Sequence, residues 1–268
     1  MASFGLIAGN GIFPLEVARG ARRRGMRVIA IAHLNETEQE LADNVDEITW
    51  IKLGEAEKIL GTFRDGEVSE AAMAGGLSRA RLKDSFAPDA LALKIWAQAG
   101  RLSDDAVLRG LARELESEGI AVIDPVPAML PHWLASAGLM AGPEPPADEL
   151  RGLELAFSVA RQLGSFDIGQ TVAVKDGVVA AVEAVEGTDA ALRRAASLVK
   201  KGIVIAKCAK PMQDLRFDRP AIGPQTIELL AELNASMIGI EAGITLILER
   251  DRTLALAQER GVAVWGHG

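Results

Sequence analysis

The sequence predicts an α/β chain: an N-terminal parallel-sheet domain with crossover helices, followed by a second α/β domain that contains a β-hairpin. Three observations predict it. Short apolar strands alternate with helical stretches in the first third, the pattern of strand–crossover–strand units. A glycine turn, Gly9-Asn10-Gly11, joins the first strand to the first helix. Asp176-Gly177 stands between two apolar runs, the strongest short-range hairpin signal in the chain, because a type I′ turn needs two residues that tolerate positive φ.

Taken in order, Gly5 to Ala8 is a strand and Pro14 to Arg24 a helix, with Arg22-Arg23-Arg24 complementing the dipole at its end. Arg27 to Ala32 is a second strand, and Ala71 to Ala74 a further one that opens onto Gly75-Gly76. Ser103 is the expected N-cap of an amphipathic helix with Val107, Leu108, Leu111 and Leu115 at helical spacing; Gly119 stops it, and the strand Ile120 to Ile123 follows. Gly138 to Pro146, rich in Gly and Pro, reads as an interdomain linker, which places the domains at 1–137 and 149–268 with 138–148 between them. The second domain opens with a helix and the hairpin of Thr171 to Lys175 and Val178 to Ala184. A helix from Asp189 to Lys201, closed by Gly202, precedes the strand Ile203 to Ala206. Gly223-Pro224 begins a helix through Leu233, and the tail alternates strand, helix and strand to Trp265.

The 268 residues are 49 % hydrophobic and 25 % charged, a globular composition. A net charge of −8 argues against a nucleic-acid partner, whose phosphates require clustered Lys and Arg. One cysteine, Cys208, cannot form an intrachain disulfide, and it reads as a small core residue rather than a nucleophile. The N-terminus lacks the basic region of a signal peptide, and no window offers the apolar length of a membrane span, so a cytoplasmic protein is expected.

Gly9, Asn10 and Gly11 sit where the backbone can approach a diphosphate and a helix N-terminus can present free N–H groups to it. A turn serving geometry alone is the alternative. The pattern is a poor NAD site: Pro14 replaces the third glycine, and the second strand ends at Ala32-His33 where an acid would hold the ribose.

In the second half, Glu183, Glu186, Thr188 and Asp189 leave a strand, turn at Gly187 and enter a helix, while Asp218 lies in an irregular stretch after the next strand. Hard oxygen ligands suit Mg²⁺ or Mn²⁺, and zinc is not expected with His33, His132 and His267 so scattered. Arg193, Arg194, Lys207 and Lys210 would counter phosphate charge. Each acid has a plain structural alternative: Asp189 complementing the helix dipole, Glu186 solvated, Asp218 capping a turn.

Together these segments resemble the LpxI family. The resemblance is carried by Gly5 to Gly11 with Pro14, Ser103 to Arg109, Asp167 to Gln170, Val182 to Asp189 with Arg193-Arg194, and Lys210 to Gln213 with Asp218-Arg219-Pro220. It covers nearly the whole chain in order, and one departure is Gly75-Gly76, where the family usually has Gly-Asn. The resemblance implies a Rossmann-like first domain and metal-dependent hydrolysis of UDP-2,3-diacylglucosamine to UMP and lipid X, with Asp218 essential. Catalysis is then expected of Asp218, Glu183, Asp189 and Lys207, and Mg²⁺ or Mn²⁺ binding of Glu183, Glu186, Asp189 and Asp218. Substrate contacts are expected of Gly9, Asn10, Gly11, Gly75, Asp104, Asp105, Gln170, Thr188, Arg193, Arg194 and Gln213. The expected partners are the lipid-nucleotide itself, a transient contact with the inner face of the inner membrane, and a second copy in a homodimer. Met129 to Leu134 offers one apolar surface for acyl chains, with ordinary core as its alternative. The rival readings are an NAD-dependent or nucleotide-sugar oxidoreductase and a non-catalytic UDP-lipid-binding protein.

Overall fold

The structure, a computed structural model, describes residues 1–77, 86–99 and 104–268, with backbone only for Asp104 and Asp105. Ser103 and its expected cap lie outside the described residues. Two compact units divide the chain: Met1–Pro131 with Asp214–Asp218, and His132–Gln213 with Arg219–Gly268.

The first unit is built on a parallel sheet of β1 (Ser3–Ala8), β2 (Arg27–His33), β3 (Glu47–Ile51), β4 (Val68–Ala74) and β5 (Ala121–Val122), in the order β3-β2-β1-β4-β5. Every residue of β1 is buried, so it reads as an unbroken apolar run rather than an alternation, as a central strand covered on both faces must. The covering helices are α1 (Phe13–Arg23), α2 (Ala56–Asp65), α3 (Ala90–Ala99), α4 (Asp104–Ser117) and the short α5 (Val126–Met129). Ile29, Ile31, Phe63 and Leu115 meet in the core between them. Burying one such side chain stabilises the unit by about 1.5–3 kcal/mol. The chain leaves β1 towards β2 on one side and returns to β4 on the other, so the carboxyl ends of β1 and β4 border the crevice where doubly wound sheets bind ligands.

The second unit holds a mixed sheet ordered β6-β13-β11-β9-β7-β8, from β6 (Gly138–Ala141), β7 (Thr171–Lys175), β8 (Val178–Val182), β9 (Val204–Lys207), β11 (Met237–Glu241) and β13 (Ala263–His267). β10 (Ala221–Ile222) and β12 (Leu246–Ile247) form a separate parallel pair. The hairpin is present, with Asp176 and Gly177 at φ 48° and 75°. Its helices are α6 (Ala147–Ser165), α7 (Thr188–Val199), α8 (Pro224–Glu232) and α9 (Arg250–Arg260).

The stretch expected as a linker divides differently. Gly138–Ala141 pairs antiparallel with β13, because an edge strand needs only one partner's ladder, and only Gly142 to Pro146 remains as connection into α6. The division between the units falls at Pro131 and His132. Met129, Leu130 and Trp133, a candidate acyl surface in the sequence, are buried and serve packing. No helix among the described residues is long and apolar enough to cross a membrane.

Candidate functional site

At the carboxyl ends of β1 and β4 two loops are bonded to each other. Gly9 N–H donates to the Ala74 carbonyl at 2.8 Å and Asn10 N–H to that of Gly76 at 2.8 Å. A Cβ on Gly9 would be driven into the Gly76 carbonyl, and one on Gly75, already at φ +87°, would lie 2.5 Å from the Asn10 carbonyl oxygen. These two glycines therefore serve the close approach of loop to loop. Gly11, at φ +84°, faces open space beside the start of α1, where no side chain caps the helix. The Asn10 amide donates to Glu36 at 2.8 Å.

A cavity of about 530 Å³ opens here within the first unit. Gly9, Gly75, Gly76, His33 and Asp218 form its polar side, and Ile59, Met73, Ile95, Trp96, Leu108, Leu111 and Phe217 are among its apolar walls. Asp218 reaches it because of the turn that precedes it. Arg216 forks onto Asp214 at 3.0 and 2.9 Å, holding that carboxyl below the usual carboxylate range, and reaches Glu116 of α4 at 2.8 Å. Phe217 packs on the core, Arg216 lies over its ring, and Asp218 N–H closes the turn on the Asp214 carbonyl at 3.1 Å. A charged clamp, a half-buried anchor and an exposed carboxylate thus follow in three consecutive residues.

In the second unit, Glu183 is buried with both oxygens engaged: Oε1 accepts from the Thr188 hydroxyl at 2.8 Å and Oε2 from Gln170 N–H at 3.3 Å. Thr188 spends its hydroxyl on Glu183 rather than on capping α7, whose N-cap is Gly187. The Gln170 side-chain oxygen is buried without a hydrogen bond among the described residues. Glu186 takes a 2.7 Å bond from Arg194, which holds it below the usual carboxylate range. Asp189 and Arg193 line an open groove with Gln225 and Glu228, and Arg193 pairs with Glu232 at 2.6 Å. Lys207 donates to the Ala221 carbonyl at 2.9 Å, and the Gln213 side chain accepts from Lys210 N–H at 2.9 Å. Asp104 and Asp105 begin α4. Cys208 is buried, and desolvation first, then Glu241, pushes its thiol up to about 12, which makes it inert at neutral pH.

Of the acids expected to share a metal, Glu183, Glu186 and Asp189 belong to the second unit and Asp218 to the first; among the described residues no group of three or more His, Cys, Asp or Glu could hold an ion. Asp218, Gly9 and Gly75 do meet at one cavity. Sequence reasoning missed His33, the Arg216 clamp and the apolar wall. Arg216 two residues after Asp214 was the only local signal for the clamp, and Glu116, a hundred residues away in the chain, gave none.

The model of the LpxI N-terminal domain matches residues 3–131, and that of the LpxI C-terminal domain residues 136–265. The chain belongs to the LpxI family. A relative in Caulobacter vibrioides, the UDP-2,3-diacylglucosamine pyrophosphatase LpxI, is 34 % identical over 277 residues, spanning 99 % of this chain and 98 % of that protein. Solved structures resemble it more loosely. The biotin carboxylase domain of a thermophilic 2-oxoglutarate carboxylase aligns at TM-score 0.30 and 14 % identity over 75 % of this chain and 33 % of its own. Phosphoribosylglycinamide synthetase from Anaerococcus prevotii aligns at 0.28 and 11 % over 75 % and 43 %. This chain spans less than half of either.

Proposed function

We propose that this protein hydrolyses the diphosphate of UDP-2,3-diacylglucosamine, releasing UMP and 2,3-diacylglucosamine 1-phosphate (lipid X) in lipid A biosynthesis. The observation that carries it is the cavity of the first unit, apolar along its walls with an exposed carboxylate at its polar side. It occurs in a chain aligned end to end with a pyrophosphatase of that substrate. Acyl chains against the apolar wall gain roughly 0.8 kcal/mol per buried CH₂ and exclude water from the sugar end. Asp218, on its clamped turn, orients the attacking water and accepts its proton.

A divalent cation belongs to this reading. Glu183 does not fit as its ligand, since both its oxygens accept hydrogen bonds within the protein, and Glu186 gives Oε1 to Arg194. Asp218 fits, because Mg²⁺ is held by one or two carboxylates together with substrate phosphates rather than by a complete protein cage. When bound, Mg²⁺ or Mn²⁺ supplies charge neutralisation on the diphosphate. The enzyme meets its lipid at the membrane face without a spanning helix among the described residues.

The test is UMP release from the purified protein with the diacylated substrate. Asp218→Ala removes at least 10³-fold of turnover while the protein stays folded, as loss of a group acting in the transition state does. UMP release at the wild-type rate from Asp218→Ala contradicts the assignment.

A further inference from the structure

Among the polar groups at the cavity, His33 has no role in the reading above. The Ala8 carbonyl can only accept hydrogen bonds, and it takes two, from His33 Nδ1 at 2.9 Å and from the Thr37 hydroxyl at 2.7 Å. Nδ1 therefore carries the hydrogen. Thr37 Oγ1 in turn accepts from His33 N–H at 2.9 Å, so ring and backbone are tied to the same turn. Burial holds the imidazole below its ordinary pKa, against the opposing charge of Glu36, and leaves it neutral at pH 7. In that tautomer Nε2 is a lone-pair acceptor. It makes no hydrogen bond among the described residues, while the side chain lines the cavity beside Gly9, Gly75 and Gly76.

We propose that His33 is a specificity-determining residue for the proposed reaction, its Nε2 accepting a hydrogen bond from a hydroxyl of the bound sugar nucleotide. This rests on the functional reading above. The placement supports it: His33 ends β2, beside β1, in the sheet position from which dinucleotide-binding proteins hold a ribose diol with an acid. A neutral imidazole supplies the same acceptor without placing another negative charge near a diphosphate. The hydroxyl can belong to the ribose or to the acylated glucosamine ring, and the two sources separate by experiment.

Steady-state UMP release is measured for wild type, His33→Phe and His33→Gln, with the intact substrate and with its 2′-deoxy- and 3′-deoxyuridine analogues. His33→Phe keeps the shape and loses the acceptor; His33→Gln can keep both the bond to Ala8 and an acceptor oxygen. The expected result is a KM about tenfold higher in His33→Phe with kcat within about twofold, and recovery in His33→Gln, the loss of one hydrogen bond. If the donor is the ribose, one deoxy analogue costs wild type about tenfold and costs His33→Phe nothing further. If it is the glucosamine ring, neither analogue matters and the His33→Phe loss remains. Unchanged kinetics in His33→Phe, or an equal loss in His33→Gln, overturns the assignment. The ring ¹⁵N signal of wild-type Nε2 gives a measurement independent of any variant: it moves towards the hydrogen-bonded range on addition of substrate, and a fixed signal overturns the proposal. Wild-type protein that releases no UMP overturns both readings, whereas active wild type with an unaffected His33→Phe overturns this one alone.

Discussion

His33 and Glu183 are both buried and titratable, and their surroundings assign them different work. His33 is neutral in the folded chain because burial penalises the imidazolium more than the Ala8 carbonyl and Glu36 favour it. Its folded pKa lies below the ordinary 6.5, so as pH falls the unfolded chain binds the proton first. The stability it contributes is whole above pH 6.5 and is lost as pH drops from there through the folded value. Denaturation midpoints should therefore decline more steeply below pH 6.5 in wild type than in His33→Gln, and equal slopes would show that His33 is not the titrating group. Glu183, by contrast, serves as an acceptor for Thr188 and Gln170. Glu183→Ala strands both donors and should cost about 1–3 kcal/mol in urea denaturation. EDTA should silence wild type and Glu183→Ala alike, with Mg²⁺ restoring both. A variant of full stability that no longer responds to Mg²⁺ would make Glu183 a metal ligand instead.

At the scale of elements, the loops after β1 and β4 act as one piece because Gly9 and Gly75 let their backbones touch. The glycines of this turn should not be equivalent. Gly9→Ala and Gly75→Ala force backbone against backbone and should destabilise the protein by about 3 kcal/mol or more, whereas Gly11→Ala meets only its positive φ and should cost about 1–2 kcal/mol. Thermal denaturation of the three variants checks the order; equal losses would mean that the loops do not meet as described. The turn from Asp214 to Asp218 is the other decisive element; its Arg216–Asp214 fork is local, and Glu116 of α4, which ties it to the first unit, could not be read from the loop's own residues.

For the whole molecule, the consequence is that the first unit is not contiguous. Residues 1–131 end before Asp218, which the turn Asp214–Asp218 returns to that unit. Fragments 1–131 and 132–268, expressed separately, should each release no UMP; cleavage by 1–131 would place the catalytic carboxylate elsewhere than Asp218, and cleavage by 132–268 at the rate of the intact chain would show that the cavity of the first unit is not required. The alternation of apolar runs and helical periods determined the two α/β folds, because strand and helix periodicity are local properties of neighbouring residues. Asp176-Gly177 likewise determined its own turn, since positive φ is a matter of two residues. The collinear motifs determined the family. Only tertiary structure decided which partner each polar residue takes: the Thr188 hydroxyl donates to the buried Glu183 carboxylate. Gly138–Ala141 looks like a linker until β13 offers it a ladder, and His33 looks like the end of a strand until the Ala8 carbonyl sets its tautomer. In each case the deciding partner is distant in sequence or depends on the folded backbone, and a hydrogen bond or a burial cost exists only once that partner has been brought within about 3 Å.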